Sequence, residues 1–424
     1  MPASCPRLPL TTGVLSSERP GTSRRGVSAA SLVVAVSGVE FGWGSAGKLD
    51  AVMAAVIARA GGPVRFVGLG SRLGRPVLAN SGVSVWHDAD PGDVSGVAEI
   101  VNRERVRVAV SVLDAARAKT LEKLGVPTVF VDSLPFLWTE GDLDWVPVDV
   151  TAYCAQRSVH GAERTMVLDR VRNLRWVGAV IPPGVSAAVG GVGSPAGPDR
   201  RPALPRQIVV NMGGLAAPGL ADWRAYPRLV VPAVLRSAAD LGIGSVLVRG
   251  NLPPDLAETL LAEVPSGLQV HIGPKTPAEF RAELIDSGLL VTSPGLTTLL
   301  EASALNRPTV CLPPQNVSQI FNARFFSRAV GGPVVRWPVD VLSESEVVAA
   351  RSGGEETALA LIYDAIRAAA ADSAPVREAL LRLLTDAVRA SVDGGIDWTG
   401  LAKMVGTEGA AEVADQVLRL AAAG

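Results

Sequence analysis

Asp286-Ser287-Gly288-Leu289-Leu290-Val291-Thr292-Ser293-Pro294-Gly295-Leu296-Thr297-Thr298-Leu299-Leu300-Glu301 decides how this chain is read. The order is a short buried strand, a Pro-Gly turn, and a helix carrying a carboxylate where an apolar residue would pack better. A helix N-terminus presents unpaired N–H groups and a partial positive charge, so the start of this helix suits phosphate. Thr297 and Thr298 share a face with Glu301, while Leu296, Leu299 and Leu300 form the packing side. A carboxylate at Glu301 can accept two hydrogen bonds from a sugar diol. On the following helix, Gln319 and Asn322 lie three apart and share a face, where amides can meet sugar hydroxyls. Together these parts describe a pocket for a sugar nucleotide.

Outward from that stretch, short apolar runs alternate with helical segments, the pattern of parallel α/β folding. Strands are predicted at 32–37, 64–69, 83–86, 106–112, 127–131 and 174–180, with helices at 46–60, 93–103 and 114–124. After a Pro-, Gly- and Ala-rich stretch the pattern restarts, with strands at 207–211, 245–248, 268–272, 288–292 and 308–312. Helices between and after them are predicted near 222–240, 254–263, 277–285, 295–305, 317–328, 355–391 and from about 408 onward. The expected architecture is two Rossmann-like domains facing each other across a cleft, with ligands beyond the carboxyl ends of the strands. The expected division is a disordered tail over 1–30, a first domain over 31–180, a linker over 181–206, a second domain over 207–372 and C-terminal helices over 373–424.

A length of 424 residues suits two domains, and 48% hydrophobic with 19% charged residues is ordinary for packed cores. The formal net charge of −1 gives no footprint for nucleic acid. Three scattered cysteines and three histidines offer no metal-ligand spacing, and a reducing cytoplasm is the simplest location. No apolar run approaches the ~18 residues that span a bilayer. Arg24-Arg25 before the apolar run 32–36 faintly resembles a twin-arginine signal, but that run is short and flows into a Gly-rich turn of the fold.

That turn, Ser37 to Lys48, carries Gly42, Gly44 and Gly47 in the G-x-G-x-x-G pattern. A dinucleotide site also wants an acidic residue about 20 positions on, and the second strand ends Gly68-Leu69-Gly70-Ser71-Arg72. Arg72 leaves NADP as a demoted alternative. A P-loop reading loses its magnesium anchor because Leu49 follows Lys48. In the second half, Asn211-Met212-Gly213-Gly214 is a turn whose glycines allow the backbone close to a ligand, and Arg249 ends a strand on the same sheet edge, where a guanidinium suits phosphate.

Ser293-Pro294-Gly295-Leu296-Thr297-Thr298-Leu299-Leu300-Glu301, Asn306-Arg307-Pro308, Leu312-Pro313-Pro314 and Gln319…Asn322 together resemble the nucleotide-sugar segment of GT-B glycosyltransferases, especially the UDP-GlcNAc transferases of peptidoglycan synthesis. The resemblance implies that Glu301 holds the ribose, Gln319 and Asn322 contact the donor sugar, Gly213-Gly214 approach the diphosphate, and the backbone near Ile272 reads uracil. That branch carries a Gly-His pair in its first-domain loop, where this chain has Gly44-Ser45-Ala46-Gly47-Lys48 without histidine. The loop Glu40-Phe41-Gly42-Trp43-Gly44 is more similar to cytosylglucuronic acid and hydroxymethylcytosylglucuronic acid synthases of nucleoside-antibiotic biosynthesis.

This resemblance implies an inverting glycosyltransferase moving glucuronate from UDP-glucuronic acid to N1 of cytosine. Glu40 is the first expected base and Asp132 the second, both at strand ends. Phe41 and Trp43 are expected to stack on the flat acceptor. Lys48, Lys275 or Arg324 supplies a cation for the donor carboxylate. The diphosphate is expected to be neutralised by the Gly213-Gly214 backbone, Arg249 and the 294–297 helix start, and with no D-x-D motif neither metal nor cofactor is expected. Three alternatives stand beside it: a transferase with another UDP sugar and acceptor, a UDP-GlcNAc 2-epimerase-like enzyme, and a non-catalytic nucleotide-sugar-binding protein.

Overall fold

The computed structural model describes residues 31–159, 166–185, 204–215, 222–392 and 394–423. The tail predicted over 1–30 and most of the linker predicted over 181–206 therefore lie outside the described residues. The strands are β1 (Leu32–Gly38), β2 (Val64–Leu69), β3 (Val83–His87), β4 (Val108–Val112), β5 (Thr128–Asp132), β6 (Ala152–Gln156) and β7 (Leu174–Val177), then β8 (Gln207–Gly213), β9 (Ser245–Gly250), β10 (Gln269–Ile272), β11 (Leu289–Thr292) and β12 (Thr309–Cys311). The helices of the first half are α1 (Gly44–Arg59), α2 (Val94–Glu104) and α3 (Ala115–Lys123). Those that follow are α4 (Ala225–Asp240), α5 (Pro254–Leu261), α6 (Pro277–Asp286), α7 (Leu296–Ala304), α8 (Val317–Val330) and α9 (Glu344–Ala350). The last four are α10 (Glu355–Ala371), α11 (Ser373–Val392), α12 (Gly400–Val405) and α13 (Gly409–Ala423).

Two sheets result, ordered β3-β2-β1-β4-β5-β6-β7 and β10-β9-β8-β11-β12. Neighbouring strands run parallel, with registers such as Val36↔Val110 and Val210↔Val291. The order reverses between β1 and β4 and between β8 and β11, so each sheet opens a crevice where ligands sit in such folds. Both crevices are flanked by the strand-to-helix turns singled out in the sequence. Strand β6 escapes sequence reading because Ala-Tyr-Cys-Ala-Gln is buried on both faces and has no alternation. The helix predicted over 355–391 is two helices, broken at Asp372.

Each sheet is covered on both faces. Leu49, Val52 and Val56 of α1 pack on one face of the first sheet with Val34, Val110 and Val129. Ala410, Val413, Ala414 and Val417 of α13 join that same core, so the chain returns to its first half at the end. The return is fastened by backbone hydrogen bonds from Ala179 N–H to Gly406 O at 2.8 Å and from Gly409 N–H to Ala179 O at 3.1 Å. The second sheet is buried beneath Leu229, Leu235, Ile362 and Leu380 on one side, and beneath Leu299, Leu300 and Leu401 on the other. Among the described residues no helix is long and apolar enough to cross a membrane.

Candidate functional site

Between the carboxyl edges of the two sheets lies a cleft of ≈ 400 Å³. On the second-half side, β11 ends in Ser293-Pro294-Gly295 and α7 starts without any side-chain cap. Across from it, α1 also starts without a side-chain cap, after Trp43. Gly44, Ser293, Gly295, Leu296 and Thr297 all line the cleft, so two uncapped helix N-termini face one cavity.

Glu301 lies on the cleft-facing side of α7 and is only 7% exposed. Among the described residues its carboxylate makes no hydrogen bond, unlike the solvated glutamate an isolated helix would show. Burial pushes its pKa up to about 7, with Arg281 and Lys48 pulling it back. Lys48 of α1 is 3% exposed and donates to Thr297 Oγ1 of α7, joining the two walls. Burial lowers its pKa to about 8 against the attraction of Glu301. A buried carboxylate with free acceptor capacity thus stands beside a buried ammonium.

The amides of α8 divide their work. Gln319 lines the cleft; its Oε1 accepts from Gln315 N–H at 3.0 Å, and its NH₂ has no partner among the described residues. Asn322 spends its NH₂ on the Pro294 carbonyl at 3.0 Å, while its buried Oδ1 has no hydrogen-bond partner. It therefore fixes the turn that starts α7. Pro294 serves that turn and is not among the cleft-lining residues. Ser293 sits 3.0 Å from the Tyr226 hydroxyl, which also reaches the Pro313 carbonyl at 2.7 Å.

No protein-family model and no curated protein matches the chain. Solved structures do. MurG of Acinetobacter baumannii matches over 92% of this chain and 99% of its own, at 11% identity and a TM-score of 0.50. MnaA of S. aureus, solved with UDP, covers 92% of this chain and 95% of its own at 12% identity and 0.50. The glycosyltransferase VinC, solved with dTDP, covers 92% and 100% at 12% identity and 0.50. The chain has the GT-B fold.

Within this GT-B cleft the two expected bases are placed elsewhere. Glu40 accepts from the backbone N–H of Arg72 at 2.5 Å and of Leu73 at 2.9 Å, and does not line the cavity. Asp132 is fully buried, where it accepts from Tyr153 Oη at 2.6 Å, Trp138 Nε1 at 2.7 Å and Leu134 N–H at 2.9 Å. Burial raises its pKa, and those three donors oppose the shift. Every oxygen of both carboxylates accepts at least one hydrogen bond from its own surroundings.

Arg249 lines the cleft, but its guanidinium is engaged by Glu283 at 2.6 and 2.8 Å and by the carbonyls of Val248 and His271. In this arrangement it braces the sheet edge. Ile272 packs against the second core and is not among the cleft-lining residues. Arg324 pairs with Glu344 at 3.2 Å, which leaves Lys48 and Lys275 as the expected cations that do line the cleft.

The two Gly-rich turns meet each other. Gly213 has φ +66°, which favours glycine. Both Gly213 and Gly214 line the cleft, and a Cβ on Gly214 would lie 2.4 Å from Trp43 N and 2.6 Å from Gly42 C, so this glycine admits the opposite wall. Phe41 and Trp43 line the cleft, and Trp43 is oriented by Nε1–H to the Leu73 carbonyl at 3.0 Å.

The structure adds residues that sequence reasoning passed over. Ser133, Leu137, Trp138 and Asp142, from the loop after β5, face the cleft together with Arg351 and Glu355 from beyond α9. The aromatic content of Ser133-Leu134-Pro135-Phe136-Leu137-Trp138 directly after a buried strand was a usable signal. Asp142 and Arg351 are brought together only by the fold. Among the described residues no group of three or more His, Cys, Asp and Glu gathers as a metal site would need.

Proposed function

We propose that the chain is a UDP-sugar-dependent glycosyltransferase, with the half around β1–β7 holding the acceptor and the half around β8–β12 the nucleotide sugar. The observation that carries this reading is Glu301: a buried carboxylate without a hydrogen bond among the described residues, on a helix whose uncapped start lines the same cleft. A phosphate needs the helix start and a ribose diol needs the carboxylate, and a nucleoside diphosphate offers both. That MnaA was solved with UDP and VinC with dTDP supports the same ligand class.

The finer reading is transfer of glucuronate from UDP-glucuronic acid to N1 of cytosine or hydroxymethylcytosine, in nucleoside-antibiotic biosynthesis in the cytoplasm. Two features support it. Lys48 offers a buried cation to a donor carboxylate, and Phe41, Trp43 and Trp138 line the cleft with flat surfaces for a base. In the reaction N1 bonds to C1 as the C1–O bond to the diphosphate breaks. UDP leaves with the electron pair from the opposite face, and the N1 proton goes to water. The two helix N-termini stabilise the charge that builds on the diphosphate.

Two measurements test this. Calorimetry with UDP is expected to show binding by the wild type and at least about tenfold weaker binding by Glu301→Ala; undiminished binding by the variant removes the donor site. Product mass after mixing the protein with cytosine and a panel of UDP sugars is expected to show one glucuronosyl cytosine. A new epimer from UDP-GlcNAc alone would replace transfer with epimerisation.

A further inference from the structure

At one place in the cleft wall, two oppositely charged groups from different halves of the molecule form a loose ion pair without a hydrogen bond between them among the described residues. Arg351 NH2 lies 3.6 Å from Asp142 Oδ2, and the two side chains are 11% and 27% exposed. Among the described residues the Arg351 guanidinium makes no hydrogen bond. Asp142 Oδ2 accepts from Thr139 N–H at 2.8 Å and Thr139 Oγ1 at 2.7 Å, capping its own turn, while Oδ1 has no partner there. A donor and an acceptor therefore stand side by side, each with capacity left.

Two other residues of the same cavity say what fits beside them. Ser133 lines the same cavity, is 1% exposed, and its hydroxyl has no hydrogen-bond partner among the described residues. An unsatisfied buried hydroxyl is costly unless something binds it. Trp138 presents a ring held in place by its bond to Asp132. The pocket is thus a flat apolar wall with a polar edge that offers a donor next to an acceptor.

We infer that Arg351 and Asp142 form an edge-reading clasp that selects an acceptor heterocycle bearing a ring nitrogen beside an exocyclic amine, as in cytosine, and rejects the oxo counterpart, as in uracil. Arg351 donates to N3, and Asp142 accepts from the N4 amine. Uracil presents N3–H and O4 with the opposite polarity at the same positions, so both contacts fail. The C4 amine lies across the ring from N1, so a base gripped this way turns N1 away from the clasp and leaves it open to C1 of the donor. This inference rests on the transferase reading, and the test below separates the two.

The measurement is calorimetry of cytosine and of uracil binding to the full chain, with and without saturating UDP. The wild type is expected to bind cytosine at least ~10-fold more tightly than uracil. Asp142→Asn keeps the cap through its carbonyl oxygen and replaces the free acceptor by an NH₂ donor, so the preference should vanish or reverse. Arg351→Gln should weaken cytosine binding, and both variants should bind UDP as the wild type does. A wild type that binds UDP but does not favour cytosine overturns the clasp and keeps the donor site. A wild type that ignores UDP yet favours cytosine does the opposite. An Asp142→Asn protein that folds and keeps the wild-type preference overturns the clasp; should that variant not fold, the Arg351→Gln result decides on the same terms.

Discussion

Glu301 on one wall of the cleft and Glu40 with Asp132 on the other are carboxylates near the carboxyl edges of parallel sheets, yet the fold treats them in opposite ways. Glu301 is buried against Lys48 and Arg281 with its oxygens unspent. Glu40 is closed by two backbone amides, and Asp132 by a phenol, an indole and an amide. Position at a strand end brings a carboxylate to the rim of the site. Whether it serves a ligand depends on how many donors its own loop supplies.

Substitutions can break that contrast. The largest effect is expected for Asp132→Ala, which strands the Tyr153 hydroxyl and the Trp138 indole in the interior. Unfolding stability should fall by about 3–5 kcal/mol in a urea titration, while UDP affinity stays near that of the wild type. A loss of UDP binding in a protein of unchanged stability would reverse the assignment.

Glu301→Gln should behave the other way. Burial raises this carboxyl from 4.5 to about 7, so between those values the folded chain holds a proton that the unfolded chain has released. Wild-type stability therefore falls across that window and levels off above it. The variant avoids the fall and should be more stable by up to about 3 kcal/mol above pH 7, with no gain below pH 4.5. Its UDP affinity should drop roughly 10–100-fold. Melting temperatures of both proteins at pH 4 and pH 8 check the sign.

Gly214→Ala places a Cβ against the backbone of Gly42 and Trp43, where neither side can yield by a rotamer change. A loss of about 1–3 kcal/mol is expected, with a wider separation of the halves in small-angle scattering. An unchanged scattering profile at unchanged stability would show that the two turns do not set the width of the cleft. Glu40→Gln should have the smallest effect, about 1 kcal/mol, because one amide oxygen still accepts from the loop. A large loss of activity at that small cost would return Glu40 to the chemistry.

The same contrast explains what the sequence disclosed. The wall built by β11, α7 and α8 was readable because its parts follow one another: a buried run, a Pro-Gly turn, and polar residues at helical spacing. The opposite wall is assembled from pieces far apart in the chain, so Ser133, Asp142 and Arg351 carried no shared pattern. The pairing of Arg249 with Glu283 was not legible either, because Glu283 sits on α6, where residue type alone shows no pairing. The approach of Gly214 to Trp43 was not readable, since sequence shows that a Cβ is missing without showing what lies in the gap.

The helix that closes the first core is α13, made only after both sheets have been translated. At ~5–20 residues per second, the interval between Val177 and Gly409 amounts to roughly 10–50 s of synthesis. Throughout it, the face of the first sheet that receives Val413 and Val417 has α1 beside it but lacks its second helix. The first half of this protein therefore begins folding early and completes its core only when α13 is made, and a product truncated in the second half carries a half-covered, aggregation-prone sheet face.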